Sequence, residues 1–324
     1  MRLRIQLLAL AAVATVAGLA GCGSGSEDDA ARPAPAASEF PAVKGRTLAD
    51  IARVPEAKLV VSPAGRTVDV GPNRFAFGVF TLGGEQVDDA DIALYFAEGE
   101  DGPARGPFPA RVYSLQTPPA FRAKTTADDP GAATSVYVVP RVEVKRRGEL
   151  VMLALIRRGG KLEGTRVPSL VAGQFPAIPD VGDPAPRIHT PTADEVSDIS
   201  EIETRIPPDS MHGTDFADVL GKEPILLIFA TPQFCQSRVC GPTVDIAEEV
   251  KSRLGDRAAF IHMEVFNDND PGKGVRPQLR AFHLETEPWA FIVDRDGRIS
   301  ARFEGAFSAE ELTQAVEAAV DQPE

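Results

Sequence analysis

Residues 229–245 of this 324-residue chain read FATPQFCQSRVCGPTVD and hold two of its three cysteines. Cys235 and Cys240 are five positions apart, and a Gly-Pro pair follows the second. The preceding segment, PILLIFAT at 224–231, is a continuous apolar run, as expected for a buried parallel strand. The following segment, TVDIAEEVKSRLG at 243–255, has apolar residues at helical spacing and ends at a glycine. The two cysteines therefore lie in a predicted strand-to-helix connection.

The chain beyond this connection continues to alternate between strand and helix patterns. Four segments carry the alternation: AAFIHMEVF at 258–266, RPQLRAFHL at 276–284, WAFIVDRDGRISARFEG at 289–305 and SAEELTQAVEAAVD at 308–321. The third predicts a hairpin that turns at Asp296-Gly297. The fourth predicts a helix capped by Ser308, with Glu311 three residues on. Together these elements predict an α/β domain at 186–324 in the order βαβαββα.

This order resembles the thioredoxin-like fold, with a cysteine pair after the first central strand and a proline before the final hairpin. Four segments resemble the extracytoplasmic, membrane-anchored thiol–disulfide oxidoreductases of that superfamily: VGDPAP, LLIFATPQFC, TEPWAFIVDRDGRI and FSAEELTQAVEAAV. The resemblance implies a cis Glu287–Pro288 bond that faces the cysteines. Two features depart from the family: the motif is C-x-x-x-x-C instead of C-x-x-C, and Phe234 replaces the usual tryptophan.

The longer cysteine spacing constrains the local backbone. Residues five apart in one α-helix have Cα atoms about 8.6 Å apart, whereas a disulfide does not bridge more than about 7 Å without backbone movement. Either QSRV is a loop and the helix begins at Pro242, a favoured first position, or the first helical turn melts when the disulfide closes. We expect the loop in the oxidised form.

The sequence can be aligned with the family motif in two ways, and the two alignments assign the attacking thiol to different cysteines. Counted from the strand, Cys235 occupies the position of the family's nucleophile and Cys240 resolves the mixed disulfide; this is the assignment we favour. In the other alignment, CGPT mimics the family's C-G-P-C and Cys240 attacks. Arg238 and the helix dipole favour thiolate in either case. The resemblance implies that Pro288 lines the substrate groove and that no dissociable cofactor is needed.

The two aromatic residues beside the motif, Phe234 and Trp289, either contact the partner chain or pack in the core. The choice between these roles stays open for both side chains at the level of sequence.

Three alternatives remain at the level of sequence. The peroxiredoxin Q subgroup also uses C-x-x-x-x-C, but Thr231 lies four positions before Cys235 instead of three, and Ile228 stands where its proline belongs. A copper-handling site would need a histidine, His262 or His283, beside the two thiolates. A binding or scaffolding protein would keep the cysteines as a structural disulfide.

The N-terminus predicts export and lipid anchoring. Residues 1–21 combine two arginines, an apolar run and small residues, as in a signal peptide. LAGC, ending at Cys22, resembles the lipobox of bacterial lipoproteins, which implies a lipid on that sulfur. Cleavage changes the formal charge from −13 to −15, because residues 1–21 contain two arginines and no acid. An acidic protein does not seek nucleic acid, so the expected partners are extracytoplasmic protein thiols or disulfides and the cell membrane.

The segment between anchor and α/β domain divides into three parts. Residues 22–45 are small, acidic and proline-rich and predict a flexible tether. Residues 46–167 contain short β-branched and aromatic runs between turn residues, which predict an all-β, immunoglobulin-like sandwich. Pro140 within one run predicts an edge or a bulge. Residues 168–185 are proline-rich and predict a linker.

Overall fold

The computed structural model describes residues 31–235 and 237–322. The predicted signal peptide and Cys22 lie outside these residues. Within them, no helix combines the length and the apolar character needed to cross a bilayer.

The first half of the chain forms two antiparallel sheets of four strands each. One sheet has the order β1-β2-β6-β5 and the other the order β4-β3-β7-β8. The strands are β1 (Leu59–Pro63), β2 (Gly71–Thr81), β3 (Asp91–Glu98), β4 (Arg105–Pro109), β5 (Arg111–Ser114), β6 (Ser135–Val144), β7 (Gly148–Arg158) and β8 (Lys161–Ala172), and the short helices are α1 (Leu48–Ile51) and α2 (Lys124–Ala127). Six of the eight strands coincide with predicted runs. The immunoglobulin-like relationship itself stays a prediction.

Strand β7 shows how this half is built. Leu150, Met152 and the other even-numbered apolar residues face a core shared by the two sheets. The odd-numbered residues face outward, where Phe40, Leu48 and Ile51 cover them. Because both faces are covered, the strand is apolar throughout instead of alternating. The N-terminal segment that contains Phe40, Leu48 and Ile51 is therefore part of the β domain.

The predicted tether is wrong for its described part, residues 31–45. Phe40 is 5% exposed, and the amide of Arg32 donates to the carbonyl of Val112 at 2.8 Å. A short apolar anchor within a proline-rich stretch is enough to bind this segment to an outer sheet face. The prediction of a flexible tether then concerns only residues 22–30, which lie outside the described residues.

Prolines explain the strands that the sequence did not reveal. Strand β4 contains Pro107 and Pro109 and lies at the edge of its sheet, where a missing amide breaks no ladder. Strand β8 is also an edge strand and runs through Pro168 to Ala172, into the predicted linker. In β6 the register with β2 shifts at Pro140, between the pairs Asn73–Val142 and Phe75–Val139, which confirms the predicted bulge.

The C-terminal half has the predicted order βαβαββα. Its elements are α3 (Phe216–Val219), β9 (Ile225–Phe229), α4 (Cys240–Leu254), β10 (Ala259–Met263), α5 (Pro277–Ala281), β11 (Trp289–Val293), β12 (Ile299–Glu304) and α6 (Ala309–Val320). The sheet order is β10-β9-β11-β12. Strands β10 and β9 are parallel, and β11 is antiparallel to both β9 and β12.

The end of the predicted linker belongs to this half. The amides of Gly182 and Ala185 donate to the carbonyls of Ile299 and Gly297, at 2.8 and 2.9 Å. The segment thus lies along the edge of β12 without forming a regular strand. The short helix α3 precedes the central strand β9.

The two halves share a hydrophobic interface. Apolar residues on the outer face of the β1-β2-β6-β5 sheet, including Tyr113 and Val138, join a cluster with α4 and α6. At its rim, Arg74 pairs with Glu311 at 2.7 Å. The other face of the C-terminal sheet buries an aromatic cluster that includes Phe229. The β domain therefore packs directly on the helix that carries the second cysteine.

Candidate functional site

Cys235 and Cys240 form a disulfide between the loop after β9 and the first residue of α4. Their Cα atoms are 5.9 Å apart, within the range that a disulfide spans. Residues 237–239 are not helical, which confirms the loop prediction for the described part of QSRV, but the helix begins two residues before Pro242. A proline near the helix start is tolerated because amides in the first turn have no helical partner.

The two sulfurs have different surroundings. Cys235 is half-buried, whereas Cys240 has no exposed surface. The Cys240 amide donates to the Cys235 sulfur at 3.3 Å, and the Ser237 hydroxyl lies 3.2 Å from the same atom. The positive end of α4 and its amide stabilise a thiolate at this place. Of the two sulfurs, Cys235 is thus the more accessible from outside the protein, and Cys240 is enclosed behind it.

The predicted cis bond between Glu287 and Pro288 is confirmed. The Ser237 hydroxyl donates to the Glu287 carbonyl at 3.4 Å, which links the cysteine loop to the cis-proline loop. Pro288 itself is buried, so its role as a groove wall stays a prediction. Burial also raises the pKa of the Glu287 carboxyl.

The two neighbouring aromatic residues, Trp289 and Phe234, differ in how deeply they are buried. Trp289 has no exposed surface and donates its indole N–H to the Thr286 hydroxyl at 3.0 Å. It is a core residue, which excludes the predicted contact with a partner chain. Phe234 is half-buried, and its ring packs edge-on against Phe266 with 6.4 Å between ring centroids.

A segment of the β domain lies against the cysteine loop. The Ala133 amide donates to the Arg238 carbonyl at 2.9 Å. Thr126, Asp129 and Arg238 line a cavity of about 170 Å³ beside Cys235. The sequence reveals no such contact, because the two segments are about 100 residues apart and neither carries a motif for the other. Access to Cys235 is therefore shaped by both halves of the chain.

The same part of the β domain is hydrogen-bonded to a buried carboxylate of α4. Asp245, which is 1% exposed, accepts from the Ala123 amide with both oxygens at 3.1 Å. It also accepts from the side chain of Arg205 at 2.9 Å. Burial raises the pKa of Asp245, and the Arg205 guanidinium opposes this shift only in part.

The histidines considered for copper do not join the cysteines as predicted for that alternative. His262 is buried, and its Nδ1 lies 2.7 Å from an Asp209 carboxylate oxygen. Its Nε2 faces the Ala230 carbonyl at 3.2 Å. Both ring nitrogens are thus engaged away from the sulfurs. His283 is exposed in a left-handed conformation, with φ of 57°.

Comparisons with known proteins give structural similarity only. No known family profile and no curated protein matches the chain. A Chlorobium tepidum structure described as a thiol:disulfide interchange protein DsbE is 19% identical, with 44% of this chain and 99% of that chain covered and a TM-score of 0.32. A thioredoxin-family thiol:disulfide interchange protein from Chlorobium tepidum TLS is 20% identical, with 42% and 95% covered and a TM-score of 0.29.

Proposed function

We propose that this protein exchanges disulfides with protein thiols through Cys235 and Cys240. The observation that carries the proposal is the asymmetry of the pair. The half-buried Cys235 sulfur receives the first amide of α4, while Cys240 is fully enclosed behind it. An exchange reaction needs one sulfur that a client can reach and a second that can displace the client.

The reaction proceeds in two balanced steps. The Cys235 thiolate attacks one sulfur of a client disulfide, forming a mixed disulfide and releasing the other client sulfur as thiolate. The Cys240 thiolate then attacks the Cys235 sulfur, closes the internal disulfide and releases the second client thiolate. The client gains two electrons and the pair loses two. The reverse sequence oxidises a client dithiol.

The amide of Cys240 and the N-terminus of α4 lower the energy of the Cys235 thiolate, both as nucleophile and as leaving group. Phe234 supplies apolar contact for the client beside the sulfur. The cis Glu287–Pro288 segment positions the cysteine loop through Ser237. We place the protein on the extracytoplasmic face of the membrane, anchored by a lipid on Cys22; a Cys22→Ser variant should leave the membrane fraction.

A redox titration with thiol alkylation tests the proposal. Exchange chemistry predicts a reduction potential of about −120 to −270 mV. A potential below about −300 mV would instead identify a structural disulfide. Rapid peroxide consumption by the reduced protein would support the peroxidase alternative.

A further inference from the structure

Four buried side chains converge on one point of the C-terminal half. We propose that Glu203, Asp209, His212 and His262 bind one divalent metal ion, with zinc the ion that their donors suit best. The first three residues belong to the segment before α3, and His262 lies on β10. All four are less than one tenth exposed, and one donor atom from each lies within 4.8 Å of the others.

The spacing of the donor atoms fits a tetrahedral ion. The Nε2 atom of His212 lies 3.1 Å from a Glu203 oxygen and 3.5 Å from an Asp209 oxygen. The Nδ1 atom of His262 lies 2.7 and 3.5 Å from oxygens of Asp209 and Glu203. Donors about 2.0–2.2 Å from a tetrahedral zinc ion stand about 3.3 Å apart. Asp209 presents a different oxygen to each histidine, so coordination by one of its oxygens requires that its carboxylate shift toward the other three donors.

The hydrogen bonds of His262 call for a positive charge inside the cluster. Its Nε2 faces the Ala230 carbonyl, which only accepts, so this nitrogen carries the proton. In the neutral ring, the lone pair on Nδ1 is directed at carboxylate oxygens of Asp209 and Glu203. Two acceptors repel unless a proton or a metal ion lies between them. A ring N–H held by a backbone carbonyl is also the usual arrangement of a metal-binding histidine.

The charge of the cluster favours a divalent ion. Glu203 and Asp209 bring two carboxylates into the interior, and their ion pairs among the described residues are with His212 and His262 only. If both carboxylates are ionised, a single imidazolium leaves one net negative charge in the interior, which is costly. A divalent cation with two neutral imidazoles balances both carboxylates. Imidazole and carboxylate donors suit zinc among the divalent ions.

Backbone amides hold the carboxylates in place for this role. Glu203 accepts from the amides of Arg205 and Asp209, at 2.6 and 3.2 Å. Asp209 accepts from the Met211 amide at 2.8 Å. Because the site is closed to solvent and has four protein donors, its role is structural. The ion would fasten the segment before α3 to β10.

The oxidised full chain, purified without a histidine tag, tests the proposal. Oxidation removes the two thiols as competing ligands. After chelation and dialysis, titration with zinc against a chromophoric chelator should give one ion per chain, and cobalt should give the absorption spectrum of a tetrahedral site. Less than stoichiometric binding of both ions by the wild-type chain would overturn the proposal.

Matched variants localise the ion. His212→Gln and the isosteric Glu203→Gln should each lower zinc affinity by at least about 10–100-fold. A loss of that size is usual when a residue that only hydrogen-bonds to a metal ligand is removed. His189→Gln is the control, because His189 is exposed and pairs with Asp215 elsewhere. Zinc should raise the melting temperature of the wild type and the control more than that of the two variants. Equal zinc affinity in His212→Gln and the control would contradict the assignment.

Discussion

Replacing Asp245 with alanine should detach the β-domain segment from the helix that carries Cys240. Asp245 is 1% exposed, so water cannot take over its interactions. The change orphans the Ala123 amide and the Arg205 Nε–H, at about 1–3 kcal/mol each. Together with the loss of the carboxylate partner of the Arg205 guanidinium, these contributions make up the cost of breaking a buried pair, which is about 3–5 kcal/mol. We expect the free energy of unfolding to fall by about 3–5 kcal/mol.

The assay is urea unfolding of the oxidised chain, together with hydrogen exchange at the Ala123 amide, which should accelerate in Asp245→Ala. Asp89→Ala is the control, since its pair with Arg158 is exposed and worth about 1 kcal/mol or less. A loss no larger than that of the control would refute the reasoning.

A double variant separates the pair from its surroundings. Because burial raises the pKa of Asp245, the ion pair itself contributes little, and most of the loss comes from the partner left behind. Arg205→Met combined with Asp245→Ala should therefore be less destabilised than the sum of the single variants, by about 1–3 kcal/mol. Additive losses would show that the two side chains act independently.

Three further predictions concern other contacts. Gly241→Ala places a methyl group 2.7 Å from the Thr126 hydroxyl oxygen and should cost about 1–3 kcal/mol in urea unfolding. In a Thr126→Ala background the same change should be neutral or stabilising by up to about 1 kcal/mol, and equal losses in both backgrounds would contradict the clash. The hydrogen bond to Asp215 raises the pKa of His189, so its stabilisation is full below about pH 6.5 and is lost as pH rises through the folded pKa. The difference in melting temperature between wild type and His189→Gln should shrink from about pH 5 to pH 8, and a constant difference would refute this. Glu304→Gln weakens two bonds from backbone amides of the β1–β2 connection, at 2.9 and 2.7 Å, and should lower the free energy of unfolding by about 1–3 kcal/mol; an unchanged urea midpoint would contradict it.

Local signals in the sequence predicted much of the C-terminal half. The Asp296-Gly297 turn lies between β11 and β12, and the Ser308 hydroxyl accepts from the Glu311 amide at 3.1 Å, as the capping pattern predicts. Turns and caps depend on residues within four positions of each other, so short stretches of sequence contain them. The loop between Cys235 and Cys240 was predictable for the same reason, since backbone geometry limits a disulfide at this spacing.

Features that depend on distant residues were not predictable. Nothing near Asp245 reveals that it accepts from Ala123, 122 positions away. In the sequence, His262 is an isolated histidine within a predicted strand. The fold places it beside Asp209, a residue that precedes it by 53 positions. The end of the edge strand β8, from Pro168 to Ala172, lies in the predicted linker. Proline is a turn signal in sequence, but it is tolerated in a strand at the edge of a sheet.

Trapping a client on one sulfur tests the exchange chemistry most directly. In a Cys240→Ser variant the resolving thiol is missing, so mixed disulfides with extracytoplasmic proteins should accumulate, and mass spectrometry of the non-reduced adducts should map them to Cys235. Cys235→Ser should trap none. Adducts on Cys240 in the Cys235→Ser variant would reverse the two roles, and the absence of adducts from both variants would contradict disulfide exchange.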